Sequence, residues 1–89
     1  MKYSISREEF EKKVRERFID LPSSQYNRED KKEILDEFLN GEGSNFMDMA
    51  YSSSGAIYSQ NQNRESVSEE QLLETFILYP VRNLEMLLL

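Results

Sequence analysis

Apolar side chains recur at helical spacing in several stretches of this chain, each fenced by polar or turn-forming residues. The first is Phe10, Val14, Phe18 and Leu21. Ser6 precedes it as an N-cap, with Glu9 as the reciprocal partner of a capping box. Ile5 and Phe10 stand where the two halves of a hydrophobic staple belong. Glu8–Lys12, Glu9–Lys13 and Glu11–Arg15 are i,i+4 pairs in the favourable orientation. Pro22 ends the helix. The second helix opens at Asn27, with Glu29 and Asp30 in its first turn, where the helix dipole favours anions. Ile34, Leu35, Phe38 and Leu39 form its buried stripe, and Asn40-Gly41 reads as a left-handed stop before the loop GEGSN.

The stretch NFMDMAYSSSGAIYSQ, from Asn45 to Gln60, has two readings. As a strand pair it alternates poorly, because Phe46 and Ala50 fall on the face opposite Met47, Met49 and Tyr51. As a helix it gathers Phe46, Met47, Ala50, Tyr51, Ile57 and Tyr58 into an arc of about 140°, leaving Met49 outside. The helix is preferred, with Asn45 as N-cap, Asp48 at N3 and a waist of small residues at Ser53, Ser54 and Gly55.

The polar segment QNQNRES follows as a loop. Ser66 with Glu69 and Ser68 with Gln71 make two overlapping capping boxes, with Val67 and Leu72 as a staple. Leu72, Leu73, Phe76 and Ile77 are the next buried stripe. Pro80 is expected to end or kink this helix, and Tyr79 before it to leave the α region. A short terminal helix would then place Leu84, Leu87 and Leu88 on one face, with a strand as the alternative for this segment. The fold expected is mainly α, a compact bundle of four to five short helices in one domain over residues 1–89. The alternative is α+β, with residues 46–60 as a β-hairpin packed on three helices.

Composition narrows the chemistry. The chain has neither cysteine nor histidine, so disulfides, thiolate sites and Ser-His or Cys-His catalysis are excluded. Ser52, Ser53 and Ser54 have no Ser-x-x-Lys partner, and Lys12, Lys13, Lys31 and Lys32 read as solvated charges on amphipathic helices. GEGSN lacks the cation of a phosphate cradle, and NGEGSNFMD lacks the register and closing Glu of a calcium loop. No catalytic residue, cofactor or metal is expected. The apolar runs are too short to span a bilayer and the N-terminus carries no signal-type apolar stretch, so a cytoplasmic protein is expected, with no membrane partner.

The net charge of −6 is unevenly spread. Residues 1–28 hold seven Lys/Arg and five Asp/Glu, a net +2; residues 29–89 carry a net −8. That balance argues against direct nucleic-acid binding and suits a protein with a basic surface. Glu29, Asp30, Glu33, Asp36 and Glu37 share an arc of about 120° opposite the apolar stripe of the second helix. Glu29–Glu33 and Glu33–Glu37 are like-charge i,i+4 pairs that weaken a helix, a pattern suited to a basic partner rather than to helix stability. The bland alternative is an ordinary solvated face. Met49, Tyr51 and Tyr58 are the candidate apolar anchors, against the alternative that the tyrosines fill the core.

A small, acidic, cysteine-free chain without catalytic groups resembles, at the level of class, the nucleic-acid-mimicking inhibitors of phages and mobile elements. That resemblance implies a non-enzymatic binding module that docks on a basic, nucleic-acid-handling protein. A structural or self-assembling subunit, associating through Leu84, Leu87 and Leu88, is the second expectation.

Overall fold

The computed structural model describes residues 5–61 and 69–89; for residues 56–61, 69, 70 and 72 only the backbone is described. Four α-helices follow one another: α1 (Arg7–Asp20), α2 (Arg28–Asn40), α3 (Phe46–Asn61) and α4 (Glu69–Leu88). No strand occurs among the described residues, so the mainly α reading holds and the hairpin over residues 46–60 does not. The capping boxes and staple between Ser66 and Leu72 lie outside the described residues.

Helix α1 is the hub and packs against the other three. Its stripe Phe10, Val14 and Phe18 is fully buried, with Ile5 beside it. Leu35 from α2, Met47 from α3 and Phe76, Ile77, Val81 and Leu84 from α4 complete the core. The staple pair Ile5 and Phe10 is thus in place. The cap below it is only half formed: Ser6 Oγ accepts from the Glu9 N–H at 3.1 Å, with no return bond from the Glu9 carboxylate. The full reciprocal box forms instead at α2, where Asn27 Oδ1 accepts from the Asp30 N–H at 2.8 Å and Asp30 accepts from the Asn27 N–H. Of the three expected i,i+4 pairs on α1 only Glu11–Arg15 forms. Exposed lysines lose more side-chain freedom by pairing than they gain in high dielectric.

Three further expectations are corrected. Gly41 does close α2, but at φ −123° and ψ −116°, so the stop is not left-handed. Pro80 does not end a helix. α4 runs through it to Leu88, and Tyr79 stays helical. Proline costs about 3 kcal/mol in a helix interior. Burying each large apolar side chain contributes about 1.5–3 kcal/mol, and Phe76, Ile77, Val81 and Leu84 around the proline are all buried. Packing therefore outweighs the local breaker.

Lys31 is the third correction. It is not solvated but 3% exposed. Its ammonium donates to the Ile19 carbonyl at 2.9 Å and to the Leu21 carbonyl. Those groups lie at the C-terminal end of α1, where carbonyls lack intrahelical partners and the dipole is negative. One cation from α2 thus caps α1. Gly43 locks the next turn, because a Cβ there would overlap the Phe38 ring.

Candidate functional site

Two surfaces remain open once the core is assigned. The first is the outer face of α2. A chain of charges crosses the bundle beside it, from Asp48 on α3 through Arg7, Glu11 and Arg15 on α1 to Asp36 on α2. Arg7 reaches Asp48 at 2.7 Å and Glu11 at 2.6 Å; Arg15 reaches Glu11 at 3.1 Å and Asp36 at 2.5 Å. The Arg7 hydrogen bond holds the Glu11 carboxyl below its ordinary value; partial burial opposes it and Arg15 reinforces it.

This network divides the five acidic residues. Asp36 is tied to Arg15, and Asp30 belongs to the cap of α2. Glu29, Glu33 and Glu37 are exposed and pair with no cation among the described residues. They succeed one another at four-residue intervals, about 6 Å apart along the helix axis. The arc of five is therefore a row of three free carboxylates. Among the described residues, no group of three or more carboxylates is placed to hold a metal ion.

The second surface is a groove between α3 and α4, with a volume of ≈ 430 Å³. α3 lines it with Phe46, Met49, Ala50 and Ser53, spaced on one helical face. α4 lines it with Phe76, Tyr79, Pro80 and Asn83, spaced in the same way. Ser54, beside them on α3, is buried and donates to the Tyr51 carbonyl at 2.7 Å, so the small-residue waist of α3 floors the cleft. Met49 is 68% exposed at its edge and Tyr79 is 73% exposed.

The anchors expected from sequence separate. Met49 stands off the core, at the groove edge. Tyr51 turns inward: its hydroxyl donates to the Ile5 carbonyl at 2.7 Å and its ring meets Phe10 edge-on at 5.4 Å. The side chain of Tyr58 lies outside the described residues. Leu84 is fully buried and Leu88 packs against the core, so only Leu87 of that trio is open, at 63%. Leu84 and Leu88 lie on the core face of a long α4 and Leu87 at its exposed edge, so the trio is not a free stripe. Tyr79, Asn83 and Met86 escape the sequence reading because breaking the helix at Pro80 hides their common register.

Comparison of the chain with protein-family models, with curated proteins and with solved structures finds no match in any of the three. Among the described residues, no helix is long and apolar enough to cross a membrane.

Proposed function

We propose that this chain is a non-enzymatic binding module that presents the outer face of α2 to a protein with a basic surface. In its sharper form it is a cytoplasmic inhibitor or nucleic-acid mimic of the kind carried by phages and mobile elements. One observation carries the reading: among the described residues, Glu29, Glu33 and Glu37 pair with no cation although α1 next door supplies arginines. Arg7 and Arg15 are engaged by Glu11, Asp36 and Asp48, and Arg17 by Glu74, and no cation among the described residues pairs with the outer row. Neighbouring carboxylates on one helix repel by a few tenths of a kcal/mol per pair, so the row weakens α2 slightly. It offers an Arg/Lys-rich surface several charge-assisted hydrogen bonds at fixed spacing.

The test reverses the row without touching the core or the cap. The variant Glu29→Lys/Glu33→Lys/Glu37→Lys keeps Asp30 and Asp36 and should fold. Proteins captured from extracts by the native chain are identified, and each is titrated against both forms across a salt series. A partner whose binding falls at least tenfold on reversal, and weakens as salt rises, supports the reading. Equal binding of the reversed form, with no salt dependence, overturns it.

A further inference from the structure

The helix that carries the acidic row has a small share in the core. Among the described residues, α2 supplies one fully buried apolar side chain, Leu35; Phe38 and Leu39 pack against the core only in part. The other buried apolar residues described belong to α1, α3 and α4, with Ile5 just before α1. Those three helices are also tied directly to one another. Arg17 pairs with Glu74 and Arg7 with Asp48, and the Tyr51 hydroxyl donates to the Ile5 carbonyl.

What fastens α2 is largely ionic. It packs chiefly against α1. Lys31 donates to the carbonyls of Ile19 and Leu21, Asp36 pairs with Arg15, and Arg28 pairs with Asp20. Toward its C-terminal end Phe38 meets Phe46 of α3 edge-on at 6.0 Å. Water replaces each polar contact once α2 leaves, so none of these groups would be left buried without a partner. Separating α1 from α4 is far less favourable, because it would expose the buried stripe of α1 together with Phe76, Ile77, Val81 and Leu84.

We infer that α2 is a separable unit, which opens from α1, α3 and α4 and unwinds while those three stay packed. Its two connections, residues 21–27 and 41–45, contain no helix, so no other helix has to break for it to leave. Opening and unwinding go together. α2 has 13 residues, and a helix that short is marginal in water without tertiary packing. The like-charge pairs Glu29–Glu33 and Glu33–Glu37 weaken it further. The inference concerns how α2 is held, and it stands whatever binds the outer row.

Amide hydrogen exchange on the full chain, followed by NMR through a series of low urea concentrations, reads such openings residue by residue. After correction for intrinsic rates, the Ile34, Leu35 and Asp36 amides of α2 should exchange about tenfold or more faster than those of Ile77 and Val81 in α4. They should also respond less steeply to urea, because opening α2 exposes less surface than unfolding the whole chain. Two variants separate the events. Val81→Ala trims the core on α4, so it should speed the α4 amides about tenfold and leave those of α2 unchanged. Lys31→Met should speed both sets by the same factor, because its bonds to α1 are absent from both open forms. Equal protection and equal urea response in α2 and α4 overturn the inference on the native chain alone, whether or not Val81→Ala folds. Faster α2 exchange in Val81→Ala, or α2 exchange untouched by Lys31→Met, also overturns it.

Discussion

The Lys31 ammonium lies 2.9 Å from the carbonyl oxygen of Ile19, so the second helix is fastened to the C-terminal end of the first through a cation with almost no exposure. Removing the charge while keeping the stem isolates that bond. Lys31→Met should destabilise the protein by about 1–3 kcal/mol, because the carbonyls of Ile19 and Leu21 lose their shared donor in a site closed to water. Urea unfolding should show a lower midpoint at unchanged slope, whereas the exposed neighbour Lys32→Met should leave the midpoint nearly unmoved.

Tyr51 gives a smaller and more local effect. Tyr51→Phe keeps the edge-on contact with Phe10 and deletes only the donor to the Ile5 carbonyl. A loss of about 1 kcal/mol is expected from chemical denaturation. Tyr51→Ala, which also removes the ring, should cost several times as much.

Gly43 has no left-handed backbone to protect, since no described glycine has positive φ. What it protects is space. A Cβ would overlap the Phe38 ring, which also packs edge-on against Phe46 at 6.0 Å. Gly43→Ala should therefore destabilise by about 1–3 kcal/mol through displacement of that ring. The double variant Gly43→Ala/Phe38→Leu should show less than the sum of the two single losses.

Glu11 links stability to pH. Its folded-state value is lowered, chiefly by the Arg7 hydrogen bond, so the unfolded chain binds the proton more readily. The contribution is fully present above the unfolded carboxyl value, about 4.3 for glutamate, and is lost as pH falls through the lower folded value. Unfolding free energies measured from neutral to acid pH should fall for the native protein, with Glu11→Gln starting lower and the two curves converging in acid.

The α2 row behaves differently from all of these. Reversing Glu33 or Glu37 alone should leave stability within about 0.5 kcal/mol of native, or raise it slightly, because each change relieves a like-charge neighbour. A thermal melt checks this, and it makes the loss of partner binding interpretable.

Local chemistry by itself determined the helix starts at Ser6 and Asn27, the stripe of α1, the helical register of α3 and the exposure of Met49. Caps, turn residues and spacing act within a few residues, so they are legible in a single chain. The absence of histidine and cysteine likewise excluded whole chemistries without reference to any fold. The tertiary structure decided what depends on residues far apart. It carried α4 through Pro80, because the buried residues on either side outweigh a local breaker. It drew Lys31 out of solvent, because the end of α1 supplied carbonyls that only packing could bring near. It divided the five acids of α2, because Arg15 lies within reach of Asp36 alone among them. By keeping α4 whole, it set Phe76, Tyr79, Pro80 and Asn83 in one register along the groove. Hydrophobic period is a property of the chain, but which polar groups lose water is settled only when two helices meet.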